Sequence, residues 1–297
     1  MERTLSLLIL FFSIFTFGQN QTQIPGTKYS MIPPKNFVIS TNFSGFQNNE
    51  TGSSILILDL PAPYSEIEKS FTKDALKSKG MDLISKDIVK YKNSDATLIK
   101  VSQKANGIEY LKQILIFGNG TKTTIVNGIC PKKVQESENE IYNSLFTITY
   151  DEKQTENPLE AVKYSIEISG TNYKLVRSML GSLLYSEDGK IPSEKGLIIV
   201  SNSIGNFSST DKKQFAIDRL KKLPNSEDAK INSVEKINIS DLDGYEIIAE
   251  GKKEEVIYQV MLFAANQYFL IVGSNKEDQK ESLEIYKKVA KTFKIKE

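Results

Sequence analysis

The stretch Tyr110-Leu-Lys-Gln-Ile-Leu-Ile-Phe117 is written a second time, with conservative changes, as Val256-Ile-Tyr-Gln-Val-Met-Leu-Phe263. Each is the length of a buried strand, and in each a glutamine stands four residues before a phenylalanine. Working outward, Thr124-Ile-Val126 answers to Leu270-Ile-Val272 and Glu140-Ile-Tyr142 to Glu284-Ile-Tyr286. Thr147-Ile148 answers to Thr292-Phe293, and upstream Ser94–Val101 answers to Leu242–Ala249. The order is fixed and the offset nearly constant. A period this long means tandem domains, because solenoid repeats run only about 20 to 50 residues.

Each copy is expected to start with an extended segment, Asn36–Ser40 in the first and Tyr164–Ile168 in the second, followed by a strand at Ser54–Leu58 and at Leu197–Val200. An amphipathic helix comes next. In copy one Ser65 and Glu68 have capping-box spacing, Ile67, Phe71, Ala75 and Leu76 make one apolar face, and Gly80 marks the stop. In copy two Thr210-Asp211 opens the helix and Phe215, Ala216, Leu220 and Leu223 form its face. Three or four strands follow, with turns at Asn106-Gly107 and Asn119-Gly120. A closing helix ends each copy, with Pro131 in the first turn of one and Leu283, Tyr286, Ala290 and Phe293 at helical spacing in the other.

The fold class expected is therefore α+β: two tandem α/β/α sandwich domains, each a twisted, mainly antiparallel sheet flanked by helices. The boundaries read as 24–150 and 161–297. The linker is 151–160, polar from Asp151 to Pro158.

Residues 1–19 do not read as fold. Arg3 begins a short basic start, Leu5 to Phe17 is almost wholly apolar, and small Gly18 precedes the polar Gln19–Gln23. That is the layout of a secretory signal peptide, too short to span a bilayer. With no cysteine near the cleavage region, a lipoprotein anchor is not expected. The mature chain is read as periplasmic or secreted, with no transmembrane segment.

The 297 residues hold 38 basic and 37 acidic side chains, so no global field draws the chain to nucleic acid or an anionic membrane. Histidine is absent and cysteine occurs once, at Cys130. The first fact removes Ser-His-Asp and Cys-His nucleophiles and histidine zinc sites; the second removes disulfides and thiolate metal sites. Cys130 reads as a small buried hydrophobe. No glycine-rich phosphate loop is written, so neither cofactor nor metal is expected. Ser-x-x-Lys spacing at Ser70–Lys73 and Ser209–Lys212 reads as a solvated helix face, and Asp241-Leu-Asp243-Gly244 as a tight turn rather than a calcium loop.

The order of elements, the Pro33-Pro34-Lys35-Asn36-Phe37 lead-in, the Asp243-Gly244 step before a hairpin and the closing helix ending in Thr292-Phe293 resemble the PsbP-like family. The resemblance spans Tyr29–Tyr150 and Ala161–Lys296. It implies the α/β/α sandwich shared with Ran-binding nuclear import factors of the Mog type. It also implies a role in binding other proteins or in assembly, and carries over no functional residue.

The candidate contact residues are aromatic. Tyr64 and Phe207 each stand just before the first helix of a copy, where they either fold back over the sheet or project toward a partner. Tyr173 and Tyr185 flank Leu175–Tyr185, an apolar-rich stretch with no equally long match in copy one, expected in the core, between the copies or at a partner site. The function expected is an exported, non-catalytic binding or assembly protein acting on a protein partner or small ligand. The alternatives are a carboxylate-based secreted hydrolase and a structural envelope-assembly component.

Overall fold

The computed structural model describes residues 20–296 apart from positions 106, 155, 180, 204–206 and 253. The signal-peptide reading, Asn106 of the first hairpin and Leu180 of the apolar stretch lie outside the described residues.

Two seven-stranded sheets carry the chain. The first is built from β1 (Val38–Ile39), β2 (Gly45–Asn48), β3 (Ser53–Leu60), β4 (Met81–Tyr91), β5 (Ser94–Ala105), β6 (Ile108–Gly118) and β7 (Thr123–Pro131). The second is built from β8 (Lys174–Met179), β9 (Ser182–Ser186), β10 (Leu197–Asn202), β11 (Lys230–Ile239), β12 (Leu242–Glu250), β13 (Val256–Phe263) and β14 (Tyr268–Asn275). Their strand orders are the same, β1-β2-β3-β7-β6-β5-β4 and β8-β9-β10-β14-β13-β12-β11, and every pairing is antiparallel. Each outer long strand carries one bulge at the same place, at Ile84 in β4 and at Asn232 in β11.

Helices cover both faces of each sheet. In unit one, α1 (Tyr64–Ser70) and α2 (Lys73–Ser78) lie over Ile99, Val101, Ile114 and Ile116. On the opposite face α3 (Glu136–Leu145) sets Ile141 and Leu145 against Phe46, Leu98, Leu115 and Val126. In unit two, α4 (Lys212–Lys221) packs Ala216 and Leu220 on Ile247, Ile257 and Met261. There α5 (Gln279–Lys291) packs Tyr286, Val289 and Ala290 on Val200, Tyr258 and Ile271. The central β13 is buried at every position because both its faces are covered. Each such large apolar side chain contributes roughly 1.5–3 kcal/mol relative to its exposed state.

One register row locks the two units together in comparison. In unit one, Phe46, Ile55, Gly128, Gln113 and Lys100 stand side by side across five strands; in unit two, Tyr185, Ile198, Gly273, Tyr258 and Ile248 occupy the corresponding places. Both rows hold a glycine where the closing helix comes closest. A Cβ on Gly128 would lie 2.1 Å from Ile141 Cγ2, and one on Gly273 2.4 Å from Tyr286 Cγ. Helix and sheet can approach to that distance only over a residue with no side chain.

The row corrects the sequence alignment. The counterpart of Gln113 is Tyr258, not Gln259. Gln113 Nε2 donates to Glu138 O of α3, whereas Gln259 Nε2 donates to Ala216 O of α4, on the opposite face. The opening segments shift too. Tyr164–Ser165 pairs with Lys294–Ile295 beside the closing helix, as Tyr29–Met31 pairs with Thr149–Tyr150 in unit one. Tyr164 therefore answers to Tyr29, and Asn36–Ser40 contributes the edge strand β1 instead.

Three local expectations also change. The single helix from Ser65 is two short helices, broken at Phe71-Thr72. Ser65 makes no cap, and Thr72 Oγ1 accepts from Ala75 N at the second start. Pro131 ends β7 and leads into a short 3-10 turn, so α3 starts only at Glu136. The tight turn lies at Ser240-Asp241, both left-handed (φ 50° and 62°), while Asp243-Gly244 is already strand. Asp211 caps α4 as expected, its carboxylate accepting from Gln214 N.

Candidate functional site

Two expected contact residues fold back onto the sheets. Tyr64 opens α1, packs against the cluster under that helix and shares a 2.7 Å hydrogen bond with Thr97 Oγ1. Phe207 packs among Phe215, Phe263 and Tyr268, with ring centroids 4.6–5.4 Å away. Tyr173 and Tyr185 are core residues, 4% and 3% exposed, and Tyr173 shares a hydrogen bond with Tyr286 across 2.9 Å. Buried edges of both rings line a shallow recess with Ile166, Ile168 and Lys296. The four aromatics do not converge.

The Leu175–Tyr185 stretch divides. It forms the hairpin β8–β9, of which Leu183 and Tyr185 enter the core, while Val176, Arg177, Ser178 and Met179 line a cleft against unit one. The hairpin turn touches unit one directly. Gly181 is left-handed (φ 75°), and a Cβ there would lie 1.9 Å from Asn42 O. Beside it Asn202 Nδ2 donates to Asn42 Oδ1 across 3.2 Å.

The cleft has a volume of about 370 Å³ and is walled by Tyr29, Ile57–Pro61 and Thr121-Lys122 from unit one, Glu156 and Pro158 from the connecting segment, and β8 from unit two. Its unit-one wall is a fixed polar group. Lys122 Nζ lies 2.5 Å from Asp59 Oδ2. Tyr29 OH donates to Asp59 Oδ1 at 3.1 Å and meets Thr124 Oγ1 at 2.6 Å; Thr124 Oγ1 also donates to Asp59 at 2.8 Å. The Lys122 ammonium lies 5.4 Å from the Tyr29 ring centre and 5.1 Å from that of Tyr150. Burial, before the nearby Asp59 charge, pushes the Tyr29 phenol well above its ordinary range, so it stays neutral and donates.

Across the cleft Arg177 is different. It is half-buried, stands beside the bulge of β8, and its guanidinium makes no hydrogen bond or ion pair among the described residues. An arginine fork with no protein acceptor has its strongest interactions unused, so an incoming carboxylate gains both hydrogen bonds and charge there. Sequence reasoning missed this group because Asp59, Lys122 and Arg177 belong to no motif: the first two pair only when strands of unit one are set side by side, and Arg177 comes to the same cleft only through the packing of the two units.

Other chemistry is not assembled. Cys130 is 2% exposed, and burial pushes its thiol up to about 11. Ser70 and Ser209 donate to backbone carbonyls in exposed positions. No group of three or more His, Cys, Asp or Glu is placed to hold a metal among the described residues.

No family model matches the chain, and no curated protein does. Solved structures do. A protein of Bacteroides thetaiotaomicron VPI-5482 is 20% identical, covers 50% of this chain and 53% of its own and has a TM-score of 0.30, so the chain spans about half of that relative. Cyanobacterial PsbP (CyanoP) from Synechocystis sp. PCC 6803 is 9% identical over 42% of this chain and 87% of its own, at a TM-score of 0.31. The immunity protein TplEi of T6SS from Pseudomonas aeruginosa is 11% identical over 91% and 95%, at 0.36. A PsbP is thus among the solved structures to which the chain is similar. At these scores the likenesses carry no argument about function. No described helix is long and apolar enough to cross a membrane.

Proposed function

We propose that this chain is an exported, non-catalytic binding or assembly protein made of two copies of one PsbP-like domain. It takes a carboxylate-bearing ligand or partner segment into the cleft between them. The observation that carries this reading is Arg177, half-buried and unpartnered among the described residues, opposite the neutralised Asp59–Lys122 pair. The neutral Tyr29 and the apolar Ile57, Val176 and Met179 add orientation and surface, the mix usual in a binding pocket. Export rests on the apolar run from Leu5 to Phe17.

The test is titration of the mature protein with a pool of short acidic peptides, followed by NMR or calorimetry. Saturable binding is expected. Arg177→Met should weaken it at least about tenfold, the scale of one charge-assisted pair, and Arg177→Lys should restore only part, since an ammonium cannot present a fork. Thermal unfolding should be unchanged in both variants. Absence of binding, or full binding by Arg177→Met, refutes the reading.

A further inference from the structure

We propose that a second cleft on the same seam binds a neutral saccharide. It lies on the other side of the Asn42–Asn202 contact, has a volume of about 570 Å³, and takes walls from both units. It differs from the Arg177 cleft in chemistry. Apart from Lys163, its lining among the described residues carries no charge: it is built mainly from side-chain amides and hydroxyls, with two aromatic residues, buried Phe43 and half-buried Tyr110.

That composition suits a polyol. A sugar offers each hydroxyl as donor and acceptor at once, and amide side chains answer with both functions on one planar group. Carboxylates or guanidinia would select charged ligands; amides and hydroxyls do not. Several of these groups have hydrogen-bonding capacity to spare. No hydrogen bond uses the Gln267 amide, the Ser54 and Thr41 hydroxyls or the Tyr110 phenol among the described residues, although all four residues are partly shielded from solvent. Others are already fixed by their neighbours. Gln47 Nε2 donates to Asn49 Oδ1 while Gln47 Oε1 accepts from Ser40 Oγ, and Asn48 Oδ1 accepts from Glu50 N and Thr51 N. The unit-one wall is therefore held in place before a ligand arrives, which lowers the ordering cost of binding.

Tyr110 supplies what amides cannot. It sits near the start of β6, opposite Pro131 and Gln103, with its phenol in the cleft lining. A ring there offers a face to the C–H side of a pyranose while its hydroxyl hydrogen-bonds outward. Gln267 comes from the β13–β14 turn of unit two, where Gln267 O accepts from Ala264 N. The ligand would thus be held by one unit's ring and the other unit's amide.

This inference is independent of the Arg177 reading, and the experiment separates them. The full mature chain is titrated with maltotetraose, cellotetraose and chitotetraose, each uncharged, and binding is followed by calorimetry and by amide NMR. At least one should bind saturably. Tyr110→Ala and Gln267→Ala should each weaken that binding by about tenfold, Tyr110→Phe should retain most of it, and Arg177→Met should leave it unchanged. Unfolding curves of each variant confirm that it is folded. The inference is overturned if none of the three sugars binds, if binding is indifferent to both alanine variants, or if it is lost with Arg177.

Discussion

Gly273→Ala is expected to cost unit two about 3 kcal/mol or more and to unfold it well before unit one. The added methyl would lie 2.4–2.6 Å from three carbons of the Tyr286 ring. That ring has nowhere to go. It lies nearly parallel to Tyr258 at 6.2 Å, edge-on to Tyr173 at 6.0 Å, and its hydroxyl is bonded to Tyr173. Relief requires α5 to lift from the sheet and the core under it to loosen. Two well-separated calorimetric transitions should appear in the variant, with the lower assigned to residues of unit two by hydrogen exchange. The matching change in unit one, Gly128→Ala, meets Ile141 Cγ2 at 2.1 Å, and shortening Ile141 to alanine in the same chain should recover part of the loss. A Gly273→Ala protein as stable as the parent would show that α5 does not hold the close approach described.

The second large effect is alkaline. Burial raises the phenols of Tyr29, Tyr91, Tyr164, Tyr173, Tyr185, Tyr258 and Tyr286 above their ordinary value of 10.0, Tyr91 and Tyr185 to about 12. A raised acid keeps its proton in the folded state while the unfolded chain gives it up. The stabilisation is therefore complete below about pH 9 and is lost as pH climbs through 10 toward 12 and beyond. For Tyr91 and Tyr185, a rise from 10.0 to about 12 corresponds to roughly 2–3 kcal/mol each at the end of that climb. Five of the seven tyrosines are in unit two, so it should fail first. Denaturant titrations at stepwise higher pH, read by phenolate absorbance, check this. Stability that stays level up to pH 12, or phenols that all ionise near 10 in the folded protein, would contradict the buried placement of these rings.

What could be read from sequence, and what could not, divides along the range of the interaction. The strands Ser53–Leu60 and Leu197–Asn202, the Asp211 cap and the closing helices are local patterns of apolar spacing and backbone capping, and they stand close to where those patterns put them. The alignment of the two sequence stretches failed at Gln113 and Gln259 for a physical reason. A strand has a period of two, so a one-residue slip keeps the apolar run intact while moving every side chain to the other face. Only the neighbouring strands and helices reveal it, through Gly128 under Ile141 and Gly273 under Tyr286. The candidate site was least legible. By position Tyr64 and Phe207 could fold back or project, and they cover apolar sheet; Arg177 looked like one charge in an apolar stretch until unit one was set against it.

The segment Thr41–Ser44 has a consequence of its own. Ser44 faces the Arg177 cleft, Thr41 and Asn42 face the amide-lined one, and Asn42 is pinned between Gly181 and Asn202. Four residues are thus a partition with an occupant's space on either side. A side chain at position 181 would strike Asn42 O, so the partition is held from the unit-two side by a place that only glycine can fill.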